Sequence, residues 1–201
     1  MKQKIELNNK TILVTGSPGF IGANLVIRLL REMTAGTVIS LDSMNDYYDP
    51  KLKEYRLRLI ESAAGDSTVK HVFIKGNISD KNLISDVFSK YKPSVVVNLA
   101  AQAGVRYSID HPDTYIESNI IGFYNILEAC RHSYDGGEAG VLDKDYDFEG
   151  HRELVGMQPG DVPVTYADSK GLEEDYGFTP EIGIRERLRS FCEWYREFKI
   201  C

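Results

Sequence analysis

The segment Thr11-Ile-Leu-Val-Thr-Gly16-Ser-Pro-Gly19-Phe-Ile-Gly22 decides the fold. Its first five residues are apolar or β-branched and end at Gly16, which indicates a buried strand. Residues 20–33 follow with apolar positions at helical spacing. Three glycines between a strand and a helix allow a tight turn and a close approach of the backbone to a ligand, while the helix N-terminus favours an anion. The segment therefore predicts a strand–turn–helix unit that binds a pyrophosphate.

Three further strand–helix pairs are predicted downstream of this unit. Strands are expected at residues 11–15, 37–41, 69–74 and 94–99, and helices at residues 20–33, 51–64, 81–90 and 112–131. Strands that alternate with helices form a parallel sheet with right-handed crossovers. We therefore predict an α/β fold, with a Rossmann-type doubly wound sheet of strand order 3-2-1-4.

The apolar pattern also predicts which faces are buried. The SVVVNL strand at residues 94–99 is apolar enough to be buried on both faces. The packed face of the first helix is expected to contain Ile21, Leu25, Leu29 and Leu30. The last helix is expected to place near one side Ile116, Ile120, Tyr124, Ile126 and Leu127.

Asp42 ends the second strand, twenty residues beyond the last glycine of the loop. A carboxylate at this place accepts hydrogen bonds from the two hydroxyls of a ribose and repels a 2′-phosphate. The pattern therefore favours NAD over NADP as the cofactor. The alternative interpretation is an ordinary glycine-rich turn with a solvated acid at the strand end.

Other candidate cofactor residues follow the carboxyl ends of the strands, where ligands bind in such sheets. Residues 77–78 follow the third strand, where the adenine edge is expected, or form an ordinary turn. The small residues after the fourth strand would let the backbone pass the cofactor. The predicted cofactor-binding set is Gly16, Ser17, Gly19, Phe20, Ile21, Gly22, Asp42, Asn45, Asn77, Ile78, Leu99, Ala100, Ala101 and Asn119.

Composition excludes several classes of function. The chain has 201 residues and a net charge of −6, and no basic stripe suggests a nucleic-acid partner. No apolar run reaches the length of a membrane span, and residues 1–10 lack the apolar core of a signal peptide, so we expect a cytoplasmic protein. Three cysteines without metal-ligand spacing indicate reduced thiols and no metal site.

The pattern changes after Arg131. Residues 133–140 are polar and rich in glycine, and residues 141–160 carry no strand signal. Helices are expected at residues 169–175 and 182–198. We therefore predict a cofactor-binding domain at residues 1–133 and an irregular, then helical, remnant of a second domain at residues 134–201.

Taken together, these segments resemble the extended short-chain dehydrogenase/reductase family, and within it the nucleotide-sugar 4-epimerases of the UDP-glucuronate branch. The similar segments are TGSPGFIGANL (15–25), LDSMNDYYDPKLKEYRL (41–57), NLAAQAGVRYSIDHP (98–112), YIESNIIGFYNILEACR (115–131), MQPGDVPVTYAD (157–168) and EDYGFTPEIGIRERLRSFCEWYREF (174–198). The resemblance implies that NAD oxidises C4 of a UDP-sugar and returns the hydride to the other face, with UDP-galacturonate as the product.

The resemblance also implies roles for single residues. Asn119 corresponds to an asparagine beneath the nicotinamide, and Asn77 stands where the family usually has aspartate. Arg106 corresponds to a place that meets a carboxylate or phosphate of the substrate, with a solvated arginine as the alternative. Gly160 and Asp161 correspond to a contact with the nucleotide sugar. Dimers in this family form through a four-helix bundle, which makes a homodimer possible.

The family's catalytic segment has no counterpart where it is expected. A serine-rich strand and a helix with Tyr-x-x-x-Lys should follow Arg131, and neither is found, which indicates a large internal deletion. Tyr166 and Lys170 have the spacing of the catalytic pair, but Tyr166 follows an extended Val-Pro-Val-Thr stretch. Three hypotheses follow: an impaired epimerase, a non-catalytic NAD-binding module, or a shortened product of an epimerase gene. The missing partner helices also predict an exposed apolar patch.

Overall fold

The computed structural model describes residues 6–135 and 168–179, with five single positions beyond them, 182, 183, 186, 190 and 193. The contacts divide the chain into one unit of residues 7–152 and another of residues 1–6 with 153–201. Within the described residues, no helix is both long and apolar enough to cross a bilayer.

The first unit alternates strands and helices from its start. The elements are β1 (Lys10–Thr15), α1 (Phe20–Glu32), β2 (Gly36–Asp42), α2 (Pro50–Gly65), β3 (Lys70–Lys75), α3 (Lys81–Tyr91), β4 (Val95–Asn98), α4 (Tyr107–Asp110), α5 (Pro112–Tyr115), a π-helix here called π1 (Ile116–Gly122), and α6 (Phe123–Asp135). In the second unit the described helix is α7 (Lys170–Tyr176). The helix expected at residues 182–198 lies mostly outside the described residues.

The four strands form one parallel sheet of order β3-β2-β1-β4, which confirms the predicted topology. Alternate β1 side chains enter opposite faces of this sheet. Ile12 and Val14 pack with α1 and α2, and Leu13 packs with α3 and α6. All three side chains are fully buried, so the sheet lies between two helical layers. The carboxyl ends of the strands consequently meet along one edge.

Asp49 and Asp80 set the first residues of α2 and α3. The carboxylate of Asp49 accepts a hydrogen bond from Lys51 N, and the carboxylate of Asp80 accepts from the amides of Asn82 and Leu83. Each satisfies amides that have no partner within the helix. Asp80 is therefore the N-cap of α3.

Two expectations about burial are wrong. The β4 residues are only half-buried rather than buried on both faces, because β4 pairs with β1 alone in the part of the sheet that is described. Ile21 is 66% exposed rather than packed, and the buried face of α1 is formed by Gly22, Ala23, Val26, Leu29 and Leu30. The small residues Gly22 and Ala23 are on the inner side, where the start of the helix packs closely against the glycine loop.

The helix expected at residues 112–131 is present with a different inner face. The chain passes through α5, π1 and α6 without leaving helical geometry. Ile126 is 2% exposed, whereas the other apolar residues expected beside it are largely exposed: Ile116, Ile120, Tyr124 and Leu127. The inner face is built from small and polar residues, which a search for large apolar side chains overlooks. The exposed apolar patch predicted for this helix is confirmed within the described residues.

His71 on β3 lies half-buried with its Nε2 atom 2.9 Å from the Ser40 hydroxyl oxygen. Burial lowers the pKa of His71 below its ordinary 6.5, and the Glu61 carboxylate opposes the shift. The unfolded chain therefore binds more protons near pH 6 than the folded chain. The contribution of neutral His71 to the free energy of unfolding is complete above pH 6.5 and is lost as the pH falls.

We expect the free energy of unfolding, measured by urea denaturation, to fall between pH 7.5 and pH 5.5. The His71→Asn variant, which cannot titrate in this range, should show a shallower fall. Both proteins retain the other histidines, so the difference between their pH profiles isolates His71. Parallel profiles would contradict the proposed origin of the pH dependence.

Candidate functional site

Gly16 closes the turn after β1 and touches the chain that leaves β4. Its φ of +67° lies in the left-handed region, which side chains other than glycine disfavour. A Cβ atom at this position would lie 2.8 Å from the amide nitrogen of Ala100 and 2.8 Å from the carbonyl of Leu99. A glycine is therefore required here for the carboxyl end of β1 to pack directly against the backbone that follows β4.

The other two glycines pack the start of α1 against the turn. A Cβ atom at Gly19 would lie 2.8 Å from the carbonyl oxygen of Gly16, and one at Gly22 would overlap that oxygen and lie 2.9 Å from the Cα of Ser17. The amide of Gly19 donates a 2.9 Å hydrogen bond to Gly16 O. The three glycines therefore form a compact bend, in which Gly16 and Gly22 are buried and Gly19 is partly exposed.

The N-terminus of α1 has no side-chain cap. Gly19 occupies the cap position in an extended conformation, and the first turn carries no acidic residue. The first amides of such a helix point outward and carry a partial positive charge, which suits a phosphate. Ser17, beside this end, is fully buried and its hydroxyl has no hydrogen-bond partner.

Asp42 ends β2 with its carboxylate held in place. The Oδ1 atom accepts a 2.7 Å hydrogen bond from the amide of Met44 and lies 3.3 Å from the Nζ atom of Lys53. The Asp42 and Lys53 side chains are 9% and 6% exposed, and Lys53 also donates a 2.6 Å hydrogen bond to Asn45 Oδ1. The ammonium therefore offsets much of the charge of a buried carboxylate.

Thr15 fixes the chain where β4 ends. Its hydroxyl donates to Asn98 Oδ1 at 2.5 Å and accepts from the amides of Leu99 and Ala100 at 3.1 Å each. These bonds satisfy the backbone as it turns away from the sheet. A crevice lies at the carboxyl ends of the strands, between Gly16, Asp42, Asn77 and the chain after β4. Ala100 and Ala101 line it, and their short side chains take up little of its space.

The helical segment π1 contacts the loop after β3 and the loop after β4, beside the crevice. Asn119 accepts a 2.8 Å hydrogen bond from the amide of Gln102 and donates a 2.9 Å bond to the carbonyl of the same residue. Two residues earlier, Glu117 accepts hydrogen bonds from Asn77 Nδ2 at 2.9 Å and from the Ser79 hydroxyl at 2.8 Å. The single segment π1 therefore contacts the loop after β3 through Glu117 and the loop after β4 through Asn119.

Tyr47 and Tyr48 line the crevice beside Asp42. Burial raises the pKa of Tyr48, while the nearby Arg56 guanidinium lowers it and the Asp42 carboxylate raises it further. The phenol therefore remains protonated near neutral pH and can donate a hydrogen bond. Tyr47 stacks edge-on against Tyr107 with ring centroids 4.8 Å apart, which ties the loop after β2 to the segment after β4.

Most of the predicted cofactor residues converge on this crevice. Those that line it are Gly16, Gly19, Asp42, Asn45, Asn77, Ile78, Leu99, Ala100 and Ala101. Ser17, Gly22 and Asn119 support its walls from behind. Phe20 and Ile21 are 67% and 66% exposed and do not line the crevice. Lys53 and Gln102 also line the crevice, and Glu117 borders it through its bond to Asn77, but no motif in the sequence marks these three residues.

Of the residues expected to act on a substrate, Arg106 and Lys170 lie among the described residues. Arg106 is exposed and precedes α4. Tyr166, Gly160 and Asp161 lie outside the described residues. Lys170 is the first residue of α7, in the other unit of the chain, and its amide donates to Asp168 Oδ1 at 3.1 Å.

A model of the GDP-mannose 4,6 dehydratase family matches residues 13–140, more than half of the chain. Protein CapI of Staphylococcus aureus is 50% identical over 121 residues, which cover 60% of this chain and 34% of CapI. UDP-glucuronate 4-epimerase 4 of Arabidopsis thaliana is 43% identical over 125 residues, which cover 62% of this chain and 26% of that protein. The chain thus spans about a third or less of these curated relatives.

The same part of the fold occurs in a solved structure. The UDP-glucose 4-epimerase of Stenotrophomonas maltophila, crystallised with NAD and formylated UDP-arabinopyranose, is 25% identical and superposes with a TM-score of 0.51. The match covers 64% of this chain and 34% of that chain. With the family match over residues 13–140, these findings show that the chain belongs to the NAD-dependent epimerase/dehydratase family of extended short-chain dehydrogenase/reductases.

Proposed function

We propose that residues 7–135 bind NAD along the carboxyl ends of the four strands, and that the chain is a non-catalytic binding module derived from a nucleotide-sugar 4-epimerase. The observation that carries this proposal is the bend at Gly16, Gly19 and Gly22, in which added Cβ atoms would meet backbone. Such a bend is needed where a ligand's phosphates approach the main chain.

Each part of the cofactor has complementary groups in the crevice. The uncapped start of α1 suits the pyrophosphate, since its amides offer donors and a partial positive charge. The Asp42 carboxylate suits the ribose hydroxyls, because Oδ1 is held by Met44 and Lys53 and the group cannot swing away. Asn77 and Ile78 form the wall for the adenine, and Ala100 and Ala101 leave room for the remaining half of the dinucleotide.

Asp42 also bears on the choice between NAD and NADP. A 2′-phosphate at this place would lie against a buried carboxylate, which is unfavourable. Lys53 reduces that repulsion without removing the carboxylate. NAD therefore remains the cofactor that we propose.

The family's chemistry supplies the reaction from which this module derives. When bound, NAD accepts and returns the hydride at C4 of a sugar, and the protein must supply a base for the C4 hydroxyl. The serine-rich strand and the catalytic helix that would do so are missing after Arg131. The Tyr-x-x-x-Lys spacing occurs at Tyr47/Lys51, Tyr166/Lys170 and Tyr195/Lys199, and of these Tyr166 with Lys170 lies near the expected distance from the glycine loop. We propose that this pair does not act as the base.

A working epimerase is the second candidate. It is favoured by the 43% identity to UDP-glucuronate 4-epimerase 4. In that case the substrate would be UDP-glucuronate and the product UDP-galacturonate, with Arg106, Gly160 and Asp161 as contacts to the UDP-sugar. Two further properties stay predictions from the sequence. One is a homodimer through the exposed stripe of π1 and α6, formed by Ile116, Ile120, Tyr124 and Leu127, and the other is a cytoplasmic location.

We expect isothermal titration to show NAD binding by the purified chain and by the Gly65→Ala variant. A Cβ atom at Gly65 meets nothing within 4 Å, so this variant controls for the added methyl group. In Gly19→Ala the new methyl group disturbs the bend, and we expect affinity to fall about tenfold or more, or roughly 1.4 kcal/mol. A folded wild-type chain, judged by circular dichroism, that does not bind NAD would refute the proposed function.

The ratio of NADP to NAD dissociation constants should exceed about 10 in the wild-type chain, because the carboxylate opposes the phosphate. In Asp42→Asn the charge is gone while the shape is kept, and Lys53 then favours the phosphate, so the ratio should fall. Asp86→Asn, on the exposed side of α3, removes one charge elsewhere and should leave the ratio unchanged. An unchanged ratio of dissociation constants in Asp42→Asn would show that Asp42 does not discriminate between a ribose 2′-hydroxyl and a 2′-phosphate.

Incubation of the chain with NAD and UDP-glucuronate should give no UDP-galacturonate above the level of a heat-denatured sample, as measured by chromatography. The physical reason is the missing base for the C4 hydroxyl. Product formation that disappears in Tyr166→Phe would refute the non-catalytic proposal and support the second candidate.

A further inference from the structure

Glu117 of π1 is bonded to the loop that follows β3. Its Oε1 atom accepts from Asn77 Nδ2 at 2.9 Å and from the Ser79 hydroxyl at 2.8 Å. On the other side of the same amide, Asn77 Oδ1 accepts from the Ser79 backbone amide at 3.1 Å. Asn77 also lines the crevice proposed for the cofactor. Its amide is thus held between the helix and its own loop.

These partners fix which end of the amide is the donor. An ionised carboxylate only accepts hydrogen bonds, and a backbone amide only donates them. If the Asn77 amide turned over, its oxygen would face the Glu117 carboxylate and its nitrogen would face the Ser79 N–H. Both contacts would then be repulsive, so Glu117 and Ser79 together select one orientation.

The loop itself is fastened to the helical layer. Asn125 on α6 is 6% exposed, and its Nδ2 atom donates to the carbonyls of Ile78 at 3.0 Å and Ser79 at 2.9 Å. Gly122, at the end of π1, lies so close to Ile78 that a Cβ atom would come within 2.6 Å of its Cδ1. The position of Asn77 is therefore set by backbone contacts as well as by Glu117.

An asparagine held in this way keeps one hydrogen-bond donor and one acceptor. Its nitrogen has two hydrogens, of which one goes to Glu117, and its oxygen has two lone pairs, of which one goes to the Ser79 amide. One N–H beside one lone pair matches an adenine, which offers an amino group next to a ring nitrogen. A hypoxanthine carries a carbonyl oxygen in place of that amino group and does not match.

We propose that Glu117 is a positioning residue that locks the Asn77 amide in the orientation that pairs with adenine, so that the crevice selects adenine over hypoxanthine in a dinucleotide. The inference rests on the proposed function, since it takes the base to lie at Asn77. Glu117 acts through Asn77 and does not itself touch the base.

The test compares dissociation constants for NAD and for nicotinamide hypoxanthine dinucleotide, measured by titration of the whole chain. The wild-type chain should bind NAD about tenfold more tightly. In Glu117→Gln the side chain can donate or accept, so the Asn77 amide can turn over and the preference should shrink to about threefold or less. Asp86→Asn, which makes the same charge change on the exposed side of α3, should keep the wild-type ratio.

A second pair of variants separates positioning from folding. Asn77→Asp places two carboxylates within hydrogen-bond distance, so NAD affinity should fall and recover as the pH is lowered. The double variant Asn77→Asp/Glu117→Gln restores a donor opposite the new carboxylate and should recover affinity at neutral pH. The recovery should be for NAD and not for nicotinamide hypoxanthine dinucleotide, because the new carboxylate accepts from the adenine amino group and repels a carbonyl oxygen, whereas a purely structural contact would restore both affinities alike.

The outcomes distinguish this inference from the proposed function. A chain that binds NAD but keeps its preference for adenine in Glu117→Gln, or shows no rescue in the double variant, overturns the inference alone. A folded wild-type chain that binds neither dinucleotide overturns the proposed function and the inference together.

Discussion

The fold and its crevice depend on the contact of the Gly16 backbone with the chain leaving β4. No atom separates Gly16 from Leu99 and Ala100, because a Cβ atom there would lie 2.8 Å from their backbone. The contact lets the neighbouring strands β1 and β4 end side by side, and the bend from which α1 begins follows directly after Gly16. Thr15 reinforces it by bonding both amides that follow β4. The crevice is therefore a consequence of main-chain packing rather than of long side chains.

The walls of the crevice are held from behind by polar contacts between layers. Asn119 forms hydrogen bonds with both the amide and the carbonyl of Gln102, and Glu117 accepts hydrogen bonds from Asn77 and Ser79. One short π-helical segment therefore fixes the loops after β3 and β4. On the opposite side, Lys53 reaches from the first turn of α2 to steady Asp42. These contacts prearrange the groups that a dinucleotide would meet, which lowers the entropy lost on binding.

Local sequence was sufficient to predict the sheet order and the glycine bend. Gly16, Gly19 and Gly22 lie between a β-branched run and a helical run, and each constraint acts over a few residues. The contacts of Lys53 and Glu117 could not be predicted in this way, because their partners are 11 and 40 residues away and depend on how helices dock. The inner face of α6 was mispredicted for a related reason. Its packing uses the expected Ile126 together with Asn125 and the small residue Ala129, whereas large apolar residues such as Tyr124 remain outside.

The family relation is shown over residues 13–140. We propose for this part of the chain a dinucleotide-binding half-fold. The measurement that tests this proposal most directly is a ¹⁵N-resolved NMR titration of the chain with NAD, which reports the position of binding amide by amide. The account predicts that the largest shifts fall on Gly16 to Gly22, on the residues around Asp42, and on Leu99 to Ala101. Binding whose shifts lie elsewhere, for example on the exposed stripe of π1 and α6, would contradict it.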